Sequence, residues 1–198
     1  MKVIDQEIAS LKNSISEMWA LVHQQLYNAG EAMLTGDKEL AYKVISRERR
    51  VNAFELKIDS DCEDIIALYA PVAVDLRFVL AMYKINTNLE RLGDFAESIA
   101  RFAGNLPEGV PVDPQLIKDT RVEEMLQELL SMLTLSQEAF EKESSEIASR
   151  IFLKDNLIDE INHNSTRIIA DYIEKHPGSA LVGLYMAGVI RKMERLGD

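Results

Sequence analysis

At 198 residues, 47% hydrophobic and 28% charged, the chain is long enough to bury one sizeable core or two small ones. Its net charge of -11 speaks against a nucleic-acid partner, since binding a phosphate backbone needs clustered Lys and Arg; it favours cations or basic protein patches instead. The single cysteine, Cys62, excludes an internal disulfide and fits a reducing compartment. No apolar run approaches a membrane span and the first residues lack the apolar core of a signal peptide, so a cytoplasmic protein without membrane insertion is expected.

From Ile4 the apolar residues Ile8, Leu11, Ile15, Met18, Val22, Leu26, Ala29 and Met33 step by three or four, which predicts a long amphipathic helix ending near Thr35 to Asp37. A second stripe runs through Leu40, Val44, Val51, Phe54, Ile58, Cys62, Ile65 and Tyr69, after which Pro71 is placed at the start of a third helix. That helix carries the cleanest seam, Phe78, Met82, Ile85, Leu89, Leu92, Ala96, Ile99 and Ala103. The prolines at 107, 111 and 114 mark a boundary. Beyond it three further helices are expected, from about Pro114 to Glu143, Ser145 to Lys175, and Ser179 to the end.

The stretch NLERLGD at 88–94 returns as KMERLGD at 192–198. An offset of 104 residues carries Glu90 onto Glu194, and it carries the seam Phe78, Met82, Ile85, Leu89, Leu92 onto Val182, Met186, Val189, Met193, Leu196. Seam and motif recur together, so the expected class is all-α: two tandem three-helix bundles, 1–104 and 115–198, joined by a linker at 105–114.

In each copy Glu and Asp stand four apart on one helix face, where two carboxylates repel by a few tenths of a kcal/mol. Helical phase turns Glu90 and Asp94 roughly 130° and 170° from the middle of the apolar seam. An antiparallel hairpin turning near Tyr69 to Val72 sets Glu48 and Asn52 beside Asp94 and Glu90; a turn near His176 to Ser179 sets Asp155 and Asp159 beside Asp198 and Glu194. Each half thus offers four oxygen-bearing side chains at one level, a donor set suited to Mg, Ca, Mn or Fe rather than to a closed zinc site. The competing reading is an ordinary solvated face, with Arg91 paired to Asp94 at i,i+3. Gly93 and Gly197, inside the repeated motif, each cost about 1 kcal/mol against Ala, which suggests close approach of a neighbouring backbone or a bound ion, or simple packing tolerance. Glu160 and His163 have the Glu-x-x-His spacing of a di-iron site in one copy only, and no nucleophile, base and orienting acid can be grouped.

The two three-helix repeats, APVAVDLR before the third helix, NLERLGD within it and RKMERLGD in the second copy resemble the PhoU family of bacterial phosphate uptake over essentially the whole chain. The resemblance implies a six-helix repeat whose E(D)-x-x-x-D motifs bind divalent or ferric ions (Fe, Mn, Mg or Zn) through Glu48, Asn52, Glu90, Asp94, Asp155, Asp159, Glu194 and Asp198. It also implies a non-enzymatic negative regulator of phosphate uptake and phosphate-starvation signalling. The implied partners are the phosphate transporter ATPase and a phosphate-sensing histidine kinase, and the implied state is a homodimer. Asn52 departs from the pattern by replacing an acid, HPGSALVG matches the opening of the family's last helix loosely, and that helix continues past the final Asp in the family, which implies a truncated helix here. The alternatives are a metal-dependent enzyme and a metal-free helical scaffold.

Overall fold

The computed structural model describes residues 3–106 and 112–197. Those residues form eight helices: α1 Val3–Thr35, α2 Lys38–Tyr69, α3 Val74–Asn105, α4 Pro114–Thr120, α5 Val122–Glu141, α6 Ser145–Ile151, α7 Asp155–Lys175 and α8 Ala180–Gly197. No strand occurs among the described residues. In the first half α1, α2 and α3 pack on one another. In the second, α5, α7 and α8 make the corresponding bundle, with the short α4 laid on α7 and α6 on α5.

The α1 seam is buried from Leu11 to Met33, and Val44, Val51, Ile58, Cys62 and Ile65 of α2 face it. Buried residues of both halves belong to one core, in which each large aliphatic side chain contributes about 1.5–3 kcal/mol on burial. Trp19 ties the halves together: its ring stacks on Phe140 with centroids 5.7 Å apart, and its Nε1 donates to the Leu133 carbonyl at 3.2 Å.

Capping sets the helix starts. Asp37 accepts from the Leu40 amide at 2.9 Å to open α2, and Asp113 accepts from the Gln115 amide at 2.8 Å ahead of Pro114 at the start of α4. Asp113 also accepts the Tyr172 hydroxyl at 2.8 Å, which fixes α4 against α7.

Three expected boundaries move. Pro71 lies in the turn rather than in the helix; Ala70 takes the left-handed conformation (φ 44°) before it and Ala73 a positive φ of 48° after it, so α3 begins at Val74. The expected helix Pro114–Glu143 breaks at Arg121 (φ 55°) into α4 and α5. Buried Leu116 and Thr120 define one phase, and buried Val122, Met125 and Leu129 lie out of step with it; a single left-handed residue resets the phase so that both sets face inward. Arg121 is held there by Glu124, at 2.7 and 2.9 Å, and by Glu160 at 2.9 Å. The expected helix Ser145–Lys175 is likewise two helices. A turn at Phe152 to Lys154 closes with the Lys154 amide on the Ile151 carbonyl at 2.9 Å, while Lys154 Nζ reaches Glu128 on α5 at 3.0 Å.

Candidate metal centre

In the first half the site forms where α2 and α3 run side by side. Gly93 of α3 faces Val51 of α2, so the expected antiparallel register holds and the residues flanking Gly93 sit over the turn that carries Glu48. Glu48 is only 6% exposed, and neither of its carboxylate oxygens has a hydrogen-bond partner. A buried carboxylate is costly unless paired. Burial above all, then the neighbouring charges of Asp94, Glu97 and Glu90, pushes its pKa up to about 7. Glu90 is half-buried and is also held above the usual carboxylate range, by burial first and then by Asp94 and Glu55, with Arg91 pulling the other way. Asp94 is exposed. No ion pair among the described residues joins it to Arg91.

Glu90 and Asp94 lie near enough to Glu48 to raise its pKa, and two acids that the spacing did not single out, Glu97 and Glu55, act on the same groups. Glu97 stands one turn beyond Asp94, bound to Arg101 at 2.6 Å; Glu55 stands two turns beyond Glu48, near Glu90. Asn52 is exposed, one turn after Glu48. In the second half a Cβ at Gly197 would lie 3.1 Å from Ile158 Cδ1 and 3.5 Å from Asp155 Oδ1, so α7 and α8 repeat the register of α2 and α3. Asp155 and Glu194 are half-buried and Asp159 is exposed. Asp159 lines a shallow groove with Glu160 and His163, separate from the cavity that Asp155 lines. Asp198 falls outside the described residues.

Among the described residues no group of three or more His, Cys, Asp or Glu side chains is arranged so that it could hold a metal ion. The fit of the first half to a cation rests on Glu48 alone: a buried carboxylate without a donor, its pKa raised by three other acids, is the group a hard cation would satisfy. All of these donors are oxygen, which keeps the chemistry with Mg, Mn, Ca or Fe. No helix of the described residues is long and apolar enough to cross a membrane.

Comparison with known proteins gives a consistent result. The PhoU domain pattern matches residues 15–103 and again 122–198. A PhoU homologue of the phosphate-specific transport system from Aquifex aeolicus is 31% identical over 190 residues, spanning 96% of this chain and 84% of that protein. The accessory protein PhoU of Escherichia coli is 32% identical over 195 residues, spanning 97% and 78%. Among solved structures, PhoU from Pseudomonas aeruginosa superposes with a TM-score of 0.91 at 27% identity over 98% of this chain and 91% of that one. The phosphate transport system regulatory protein PhoU from Streptococcus pneumoniae gives 0.85 at 30% identity over 98% and 90%.

Proposed function

The chain belongs to the PhoU family, and from that membership we propose that it is a non-enzymatic accessory protein that restrains phosphate uptake and phosphate-starvation signalling. Its partners in this reading are the ATPase of the high-affinity phosphate transporter and a phosphate-sensing histidine kinase, met at the cytoplasmic face, with the protein itself a homodimer. The relatives' names, accessory and regulatory proteins of a phosphate transport system, support the transport role. The lack of a membrane-crossing helix among the described residues fits docking onto a transporter rather than insertion beside it.

Cys62, His23 and His176 make contacts within the fold. Cys62 is buried and its thiol is pushed up to about 12, by burial first and then by Asp59 and its acidic neighbours, which removes the reactive thiolate. His23 shares a hydrogen bond with Thr134 at 3.2 Å, and His176 stacks on Tyr172 at 4.2 Å.

The observation that carries the mechanism is Glu48, buried and without a partner beneath Glu90 and Asp94. Divalent or ferric ions held by Glu48, Glu90 and Asp94 in the first half, and by Asp155, Asp159, Glu194 and Asp198 in the second, would neutralise this repulsion. Asn52 contributes a neutral oxygen, so the first site is one charge weaker at that position. The chain's own part is to hold α2 against α3 at the Gly93–Val51 contact, so that the acids form one face. With the repulsion relieved, that face is ordered for docking.

Co-purification of the full chain with the transporter ATPase, with and without EDTA, tests this. The reading expects complex formation that EDTA weakens in the wild type but no longer alters once Glu48, Glu90 and Asp94 are neutralised. A complex indifferent to EDTA would sink the metal-ordered face, and no complex at all would sink the partner.

A further inference from the structure

The acids described above lie on the flank of α2 that meets α3. The other flank, toward α1, is basic. From Leu40 to Phe54 the helix carries Lys43, Arg47, Arg49 and Arg50 against one acid, the buried Glu48, in a chain whose acids outnumber its Lys and Arg by 33 to 22. All four cations are exposed, and none takes part in an ion pair among the described residues.

Spacing puts three of them in one line. Lys43, Arg47 and Arg50 follow at i, i+4 and i+7 and share a face about 10 Å long, whereas Arg49 points away from it. Lys57, two turns further along that line, donates from Nζ to Ser14 Oγ at 3.0 Å, and Gln25 Nε2 donates to the Val44 carbonyl at 2.9 Å. These contacts fix the antiparallel register of α1 on α2 and set Arg47 and Arg50 across from Gln24 and Leu21. α1 has no acid between Glu17 and Glu31, so no carboxylate of α1 answers the three charges. Arg50 lies over the Phe54 ring at 5.8 Å, which restrains its guanidinium.

The second half meets the first chiefly through α1 and α3, so this flank of α2 stays open to solvent. It is a shallow groove between two side-by-side helices with half-buried Leu21 and Phe54 between them, a shape that receives a third helix. Arginine is the cation favoured at protein interfaces, because its planar fork takes a carboxylate through two parallel bonds.

The length of the charged line decides between an acidic protein segment and an anionic lipid surface. Glu31 and Glu39 bound it at one end, and Glu17 and Asp61 at the other. A plane of anionic headgroups would press on those acids and on a chain of net charge -11. A helix with carboxylates at the same spacing meets the cations alone.

We propose that this groove docks an acidic helix of the transporter ATPase, its carboxylates on Lys43, Arg47 and Arg50. The assignment rests on the accessory role proposed above and adds a second contact to the cation-ordered face, on the other flank of the same helix.

Binding of the metal-loaded full chain to the purified ATPase, measured by biolayer interferometry at low and high salt, tests it. K43E/R47E/R50E is expected to bind about tenfold or more weaker at low salt and to lose most of the salt dependence of the wild type. K118E/R167E/K175E changes the net charge equally, on exposed residues of the second half, and should bind within about twofold of wild type. Circular dichroism checks that both variants keep their helices. A wild type that binds no ATPase overturns the accessory reading and this surface with it, whereas a complex that K43E/R47E/R50E leaves unchanged overturns the surface alone. Equal weakening by K118E/R167E/K175E would make net charge the cause and overturn it too. So would a K43E/R47E/R50E variant that keeps the ATPase and loses adsorption to phosphatidylglycerol vesicles, which would give the cations to lipid.

Discussion

Gly93 of α3 lies directly against Val51 of α2, so closely that a Cβ on Gly93 would stand 2.7 Å from Val51 Cγ1. The second half repeats the arrangement, with Gly197 of α8 against Ile158 of α7 at 3.1 Å. The repeated glycine is therefore the point at which paired helices come closest, and what it admits is a β-branched side chain from the partner helix rather than a backbone. Glu90 and Asp94 flank the first of these contacts and Glu48 lies one turn from Val51. Close approach at the glycine is what crowds the acids.

Gly93→Ala should accordingly destabilise the protein. The helix gains up to about 1 kcal/mol from alanine, but Val51 is fully buried and stiff at χ1, and overpacking of this kind costs about 1–3 kcal/mol. Gly188 is the control, since a Cβ there meets nothing within 4 Å, and Gly188→Ala should stabilise by up to about 1 kcal/mol. Urea titration of both variants checks the pair; equal stabilisation by the two would remove the contact as the reason for Gly93.

Glu48 makes stability depend on pH in the cation-free protein. Its folded pKa, about 7, lies above the ordinary carboxylate value, so the folded state binds the proton more tightly than the unfolded chain does. The contribution is fully present below the unfolded pKa of about 4.5 and is lost as pH rises through about 7; the size is on the order of 3 kcal/mol. Glu48→Gln should flatten this part of the profile in EDTA, leaving the variant more stable than wild type at pH 8 and close to it near pH 4.5. Parallel profiles for the two proteins would show that Glu48 is solvated after all.

Trp19 should dominate the joint between the halves. Trp19→Ala removes the stack on Phe140 and the donor to the Leu133 carbonyl, and truncation of a buried aromatic costs about 3–5 kcal/mol. Because the chain has one tryptophan, the wild type supplies its own reporter: emission should be blue-shifted when folded and shift red in the same denaturant range as helix loss. A red shift well before helix loss would mean that the halves separate before they unfold.

The long helices of the first half are legible because their seams run unbroken over many turns, and the buried residues from Leu11 to Met33 follow the expected spacing. The second half is harder to read because it hides phase changes. Arg121 and the Phe152 to Lys154 turn carry no Gly or Pro, and what reveals them is a set of apolar residues out of step rather than a breaker. The duplicated carboxylates are visible as letters, but their environment is not. The α2 seam passes from Val44 to Val51 with Glu48 at the intervening helical position, i+4 from one and i-3 from the other. That charged residue inside an apolar stripe was the available signal for a buried acid. Glu55 and Glu97 lie outside the repeated motif, and only the pairing of α2 with α3 places them near Glu48 and Glu90.

Metal content of the purified chain, measured by mass spectrometry alongside its melting temperature, tests the central claim most directly. The comparison is wild type against a Glu48→Gln, Glu90→Gln, Asp94→Asn variant, each stripped with EDTA and then supplied with Mg, Mn or Fe. The account predicts that the wild type takes up ions and melts higher when loaded, by the linkage that gives about 2.7 kcal/mol at a hundredfold excess over Kd, and that the variant takes up fewer ions while keeping its helicity. A wild type that binds no metal after supplementation, with an unchanged melting temperature, would contradict it and leave Glu48 as a buried acid relieved by its proton alone.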